Sequence, residues 1–559
     1  MLQYCTPWPD RFVQDYLRRG FWRPRTVGDV LEARARKFAD RNFVSDAAGA
    51  LTYGQVNQLA GGVALRLLDL GLRPRDRVLL QLPNIREFVI VFFALQKIGV
   101  IPIMCLPQHR GRELSYFAEL TDAKAHFIPQ RFRNFDYVRM AREIRTASAG
   151  LRLLVATGDG SDRDVCYLAP WIGETPLTQD LQHRLAPHRP DPFEVAFMLL
   201  SGGTTGVPKL IPRTHIDYLC NAAECARVLR WDANTVFVIA LPAAHNFPLG
   251  APGMLAALVA GGSVALCPST DAETVFEAIQ RQRGVFLGVS PALLIALLNA
   301  DARHKYDLSS LHYVYAGGQK MLPELVDRAR ATWDSVVLGH AFGMAEGLTN
   351  LTRPDDPPDV IRETQGRPVS AGDEIKIVDD GGNEVAPGAV GELVTRGPYT
   401  IRGYYRAEEY NRTAFAVDGF YRTGDMVRMH RSGNLVVEGR RKDLINRGGE
   451  KISAEEIENL MLGHDSIHMA AVVAMPDHVM GERSCAFAIL RPDCTLTLDR
   501  LCAFLETKQI AKFKLPERLE IVDSLPLTGM GKIAKKELRE IIAAKLRKEE
   551  ERSTEAVTS

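Results

Sequence analysis

From Val56 onward the chain alternates two kinds of apolar pattern, and that alternation constrains its fold more than any other feature. Val56, Leu59, Val63, Leu67 and Leu70 follow helical spacing, with Gly71 where a helix would end. Residues 78–82 form a short apolar run closed by Pro83-Asn84, the pattern of a buried strand. A second helix is expected over 87–98, ending at Gly99, with a strand-like run at 100–103. Strand, helix, strand in that order is the βαβ unit of a parallel sheet, whose strands are buried on both faces. The same texture returns at 195–200, 236–241, 263–266 and 311–315. From about residue 365 it gives way to short strands between Gly-rich turns, at 374–378, 391–395, 426–429 and 435–437. Mixed character resumes after Arg440, with helices expected at 454–462 and 498–504. Leu538, Ile541, Ile542 and Leu546 share one face of a terminal helix, and residues 545–559 are expected to fray.

With 559 residues the chain is long enough for three or four structural units at roughly 150 residues each. Lys and Arg number 69 against 68 Asp and Glu, a formal charge of +1, which argues against nucleic acid as the main partner. The apolar run 88–106 contains Gln96, Lys97, Gly99 and Pro102, so it reads as core and not as a membrane span. Nine scattered cysteines with no C-x-x-C pair point to free thiols in a reducing, cytoplasmic setting.

The strongest local signal is Leu200-Ser201-Gly202-Gly203-Thr204-Thr205-Gly206-Val207-Pro208-Lys209, directly after an apolar strand. Glycines let the backbone approach an anion closely, while hydroxyls, N–H groups and a lysine can hold phosphate oxygens. The lysine follows Val-Pro and precedes Leu210, so this is not a Walker loop, and a P-loop motor or kinase is excluded. Taken alone, the loop is equally a flexible turn. Likewise Glu346 alone reads as a surface glutamate, Asp425 as a turn aspartate and Lys532 as a solvated loop lysine.

The loop is the first of an ordered set. Phe342-Gly-Met-Ala-Glu-Gly347, Gly419-Phe-Tyr-Arg-Thr-Gly-Asp425, Gly439-Arg-Arg-Lys-Asp443, Asn446-Arg-Gly-Gly-Glu-Lys451 and Pro526-Leu-Thr-Gly-Met-Gly-Lys532 follow it. Together they resemble the adenylate-forming superfamily of acyl-CoA synthetases, nonribosomal adenylation domains and luciferases. Near the N-terminus, Trp8-Pro-Asp-Arg-Phe and Arg25-Thr-Val-Gly-Asp-Val resemble the stand-alone aryl-acid adenylating enzymes.

The resemblance implies an α/β fold with a large N-terminal domain over 1–439. That domain would hold two parallel-type α/β subdomains and a β-rich subdomain over 365–439. A hinge at 440–442, a small mobile α+β lid over 443–549 and a disordered tail over 550–559 complete the expectation. Ser201, Gly202, Gly203, Thr204, Thr205, Gly206 and Lys209 would hold the β- and γ-phosphates of ATP. Gly317, Gly318, Ala341, Asp425 and Arg440 would line the nucleotide, with Asp425 on the ribose hydroxyls, and Glu346 would hold Mg²⁺. Lys532 would compensate charge on the α-phosphoryl group. Lys442 would be the pivot, and Gly448 and Gly449 would line a tunnel for a phosphopantetheine thiol.

For the acid, the resemblance points to His245, Asn246, Phe247, Ala251 and Thr349. Amino-acid-activating members carry an Asp near the position of Asn246. A carboxamide cannot neutralise an ammonium group but can hydrogen-bond a phenol. The segment resembles enzymes that activate 2,3-dihydroxybenzoate or salicylate for siderophore assembly and hand the aryl group to a carrier protein acting in trans. The chain departs from them at Ala251, where Ser or Cys is usual, at Ala341, where Val is usual, at His340 for Gln, and at Thr349 for an aliphatic residue. Losing one hydroxyl and gaining another rearranges the polar pattern, leaving salicylate, dihydroxybenzoate and 3-hydroxypicolinate open. An aryl-CoA ligase using free coenzyme A and a non-catalytic adenylate-binding protein are the competing readings. The second would have lost Glu346, Asp425 or Lys532, and all three are present.

Overall fold

The computed structural model describes residues 1–173, 179–201, 208–416, 418–448, 450–508, 510–527 and 533–558. Among them, the alternating apolar runs assemble into two large sheets with parallel cores. One has nine strands, running from the edge Arg367–Pro368 through Thr349–Leu351, Val337–Gly343, Tyr313–Gly317, Phe286–Val289, Val236–Ile239, Ser263–Leu266 and Asn42–Asp46 to Gly49–Thr52. Its six inner strands pair in parallel and its edges antiparallel. The other has seven strands, in the order Leu210–Thr214, Val195–Leu200, Ile101–Met104, Arg77–Leu80, Ala125–Ile128, Leu153–Ala156 and Cys166–Tyr167. The helix Arg86–Lys97, buried along almost its whole length, packs into the core shared by the two sheets.

The first expected helix starts earlier than its apolar stripe, at Tyr53. Thr52 caps it: its hydroxyl accepts from the Gln55 N–H, and the Gln55 side chain accepts from the Thr52 N–H. The expected strand at 311–315 is shifted to Tyr313–Gly317, because the Leu311 N–H closes a turn onto the Leu308 carbonyl.

The β-rich region forms a four-stranded antiparallel sheet of Glu374–Val378, Gly391–Arg396, Tyr421–Met429 and Leu435–Arg440. Its third strand begins five residues before the expected one, since Tyr421 and Arg422 pair with Thr395 and Val394. Beyond Arg440 a separate small domain carries a five-stranded sheet, built from Leu444–Arg447, Glu450–Ser453, Ile467–Asp477, Gly481–Leu490 and Arg518–Ile521. It has its own apolar cores on its two faces. The terminal helix Lys535–Thr558 continues through the stretch expected to fray. Lys545 bonds Glu520, and Arg518 bonds Glu549, so its polar turns are tied to the last strand of that sheet. No helix among the described residues is long and apolar enough to cross a membrane.

His126, on the strand Ala125–Ile128, is fully buried, and neither ring nitrogen has a hydrogen-bond partner among the described residues. Burial pulls its pKa down to about 3. The folded chain therefore holds it neutral, while the unfolded chain binds a proton below about pH 6.5. Its contribution to stability falls as pH drops from there toward 3. In urea unfolding, the parent is expected to lose stability relative to a His126→Leu variant between pH 7 and pH 5. A difference independent of pH would contradict this assignment.

Candidate active site

The glycine-rich loop is closed at its base by a two-bond clamp. The Ser201 N–H donates to the Lys209 carbonyl at 2.9 Å, and the Lys209 N–H donates to Ser201 Oγ at 2.9 Å. Antiparallel pairing of Val195–Leu200 with Leu210–Thr214 imposes that geometry. Gly202, Gly203, Thr204, Thr205 and Gly206 lie outside the described residues, as do Gly449 and Lys532. The Lys209 ammonium sits 3.9 Å from the centroid of the Tyr410 ring, a cation–π contact.

Tyr410 meets Tyr404 edge-on, with ring centroids 5.3 Å apart. The Tyr404 hydroxyl, buried, donates to Glu346 Oε1 at 2.6 Å and lies 2.8 Å from the Tyr421 hydroxyl. Burial and the Glu346 carboxylate push the Tyr404 phenol far above its ordinary range, so it remains a donor at neutral pH. Glu346 is itself fixed through its backbone. Its carbonyl accepts from the Ile401 N–H at 2.8 Å, and the preceding Ala345 carbonyl accepts from Arg213 at 2.7 Å.

Tyr421 begins the strand that carries Asp425. Asp425 is buried and stands directly across the ladder from Arg440, whose Nε lies 2.6 Å from Asp425 Oδ1. The carboxylate raises the guanidinium pKa, and Glu346 adds to the effect. Lys209 and Glu346 thus meet at one aromatic cluster, and the strand that begins at its Tyr421 carries Asp425 to Arg440, although up to 231 positions separate these residues in sequence.

A second group lies across the strand Tyr313–Gly317. Gly317 pairs with Ala341, and a Cβ on Gly317 would stand 3.2 Å from the Phe247 ring and 3.3 Å from the Ala341 carbonyl. Gly318 follows at φ +87°, a conformation suited to glycine. Phe247 belongs to the short helix Asn246–Leu249, which His245 caps by accepting from the Phe247 N–H at 3.3 Å. Asn246 Oδ1 accepts from the Tyr218 hydroxyl at 2.9 Å. Ala251 is buried, and so is Thr349, whose hydroxyl donates to Asn221 Oδ1 at 3.3 Å.

In the small domain, Lys442 lies in the turn Arg441–Asp443, where the four-stranded sheet passes into the five-stranded one. The Gly448 N–H donates to the Met480 carbonyl at 2.8 Å, and its φ of +58° favours glycine, with the Met480 side chain close by.

Tyr404, Tyr410, Tyr218, Asn221 and Arg213 escape sequence reasoning. Tyr404 and Tyr410 precede the Tyr421 motif in a stretch with no periodic signal. Arg213 lies on the strand Leu210–Thr214 and Asp217 in the first turn of the next helix; both are fully buried, and no motif marks them.

Residues 31–405 match the AMP-binding enzyme family, and residues 456–532 match the AMP-binding enzyme C-terminal domain. The chain therefore belongs to the AMP-binding enzymes. It is 44% identical to a 2,3-dihydroxybenzoate-AMP ligase of Bacillus subtilis, over 98% of this chain and 99% of that protein. It is 45% identical to a salicylyl-CoA synthase / salicylate adenylyltransferase of Streptomyces, over 96% of this chain and 98% of that protein. Among solved structures, Mycobacterium smegmatis MbtA in its apo form superposes with a TM-score of 0.73 at 40% identity, covering 96% of this chain and 98% of that one.

Proposed function

We propose that the protein activates an aryl acid with ATP to an aryl-adenylate, releasing pyrophosphate, and passes the aryl group to the phosphopantetheine thiol of a separate carrier protein. The observation that carries this reading is residue 246. A neutral carboxamide, held by Tyr218, cannot pair with a substrate ammonium, which supports an acid without one. The two relatives at 44% and 45% identity are named for 2,3-dihydroxybenzoate and salicylate, acids with a ring hydroxyl and no ammonium.

In the first step an oxygen of the acid's carboxylate forms a bond to the α-phosphorus of ATP, and the bond to pyrophosphate breaks. The carboxylate is already ionised at neutral pH, so no general base is needed. Lys532 would meet the charge that builds on the α-phosphoryl oxygens. Asp425 would accept from the ribose hydroxyls, exchanging part of its contact with Arg440. The lone carboxylate of Glu346 suits Mg²⁺, which is held by one or two carboxylates plus substrate phosphates. Mg²⁺ bound there would neutralise phosphate charge. Tyr404 would fix the orientation of that carboxylate, the role outer hydrogen bonds play at metal ligands. Tyr404→Phe is expected to weaken Mg²⁺-dependent ATP binding about 10-fold, read by calorimetry without acid. Unchanged binding would remove Tyr404 from this role.

In the second step the thiol sulfur attacks the acyl carbon, the carbon–sulfur bond forms and AMP leaves. Gly448 and Gly449 would admit the thin pantetheine arm, and Lys442 would be the pivot about which the small domain turns between the two steps. The nine cysteines are all free thiols, in keeping with a cytoplasmic enzyme.

The acceptor is tested by supplying Mg²⁺, ATP and salicylate or 2,3-dihydroxybenzoate with either a phosphopantetheinylated aryl carrier protein or coenzyme A, and following thioester mass. Aryl-loaded carrier is the expected product. Aryl-coenzyme A alone would reassign the acceptor, and AMP release with neither would overturn the proposal.

A further inference from the structure

Two carboxamides flank the segment assigned to the aryl ring, and each has its oxygen taken by a hydroxyl of the protein. Asn246 Oδ1 accepts from Tyr218 at 2.9 Å. Asn221 Oδ1 accepts from Thr349 at 3.3 Å and from the Cys225 thiol at 3.5 Å. Tyr218 and Asn221 lie on the helix His215–Val228, three residues apart and hence on one face. One face of this helix thus carries both the residue that bonds Asn246 and the residue that bonds Thr349. Asn221 is fully buried, and its Nδ2 has no hydrogen-bond partner among the described residues.

An amide nitrogen carries two donors, and leaving them unmade in the interior is costly enough that such orphans call for a partner. The Asn221 oxygen faces the Cys225 thiol and the Thr349 hydroxyl, which also lies 3.4 Å from the Gly347 carbonyl, so the two donors on Nδ2 face away from both groups. Ala251, at the position where Ser or Cys is usual, has no polar atom to offer a second ring substituent. We infer that Asn221 is a specificity-determining residue for the acid. Its Nδ2 reads a second hydrogen-bond acceptor on the ring, beyond the one read by Asn246, and Thr349 is the positioning residue that aims it. The preferred substrates are then aryl acids with two ring acceptors, such as 2,3-dihydroxybenzoate or 3-hydroxypicolinate, over salicylate with one.

This rests on the aryl-acid reading above, and the test separates the two. Acid-dependent pyrophosphate exchange is measured with all three acids for the parent, Asn221→Leu and Thr349→Val. In the parent, at least one two-acceptor acid is expected to exceed salicylate in kcat/KM by 10-fold or more, the size of one unmade hydrogen bond. Asn221→Leu is expected to bring that ratio to within about threefold, and Thr349→Val to an intermediate value. A parent that prefers salicylate, or a preference that survives in both variants, would overturn the inference. The parent measurement stands even if a variant fails to fold. No exchange with any aryl acid would instead sink the underlying function.

Discussion

Replacing Lys532 by alanine is expected to lower the rate of adenylate formation by about 10²- to 10³-fold, the usual effect of removing one preorganised charge from a transition state. The argument is electrostatic. The acid needs no deprotonation, so the barrier lies in the charge that moves onto the α-phosphoryl and bridging oxygens as pyrophosphate departs. A lysine supplies compensation there without exchanging a proton. Thioester formation from a preformed aryl-adenylate has no such phosphoryl transfer, so the same variant is expected to retain most of that second half-reaction. Single-turnover measurement of each step, with supplied adenylate for the second, distinguishes this role from a structural one. Equal losses in both steps would contradict it.

The largest expected effect on stability comes from Arg213. Its guanidinium and the Asp217 carboxylate are both fully buried, with Nε and Nη2 2.9 and 2.8 Å from Asp217 Oδ1. Burial raises the Asp217 pKa, and Arg213 opposes that rise. The same guanidinium donates to the carbonyls of Ala345 and Tyr399 and lies 4.6 Å from the centre of the Tyr218 ring. It therefore ties the turn bearing Glu346 and the tyrosine that holds Asn246 to one buried charge. Arg213→Met leaves that carboxylate without its partner, which costs about 3–5 kcal/mol. A clear fall in the urea midpoint is expected. Pairing the change with Asp217→Asn removes the stranded charge while keeping a capping side chain for Thr214, and part of the loss should return. A single variant as stable as the parent would show that the pair contributes little.

The parallel sheets were legible in the sequence because strands buried on both faces leave unbroken apolar runs. Runs such as 195–200 and 263–266 carry that mark without help from tertiary structure. Boundaries were less legible where a turn or a cap decides them, as at Leu311 and Thr52. The terminal helix passes the end of its apolar face, and ion pairs of Lys545 with Glu520 and of Glu549 with Arg518, distant in sequence, support its turns as far as Glu549. Residues that would touch nucleotide lie in dense motifs of unusual types, so Glu346, Asp425 and Arg440 stood out. Tyr404 acts through a hydrogen bond to Glu346, Tyr218 through one to Asn246 and Asn221 through one from Thr349, and none of the three leaves a local pattern. Thr349 shows the limit plainly: the sequence exposes a new hydroxyl, and only the fold reveals that Asn221 already holds it.

The most direct test of the account is acid-dependent exchange of labelled pyrophosphate into ATP across aryl, amino and fatty acids. The account predicts strong exchange with a hydroxylated aryl acid, and none with amino or fatty acids. Exchange with amino or fatty acids alone would contradict it.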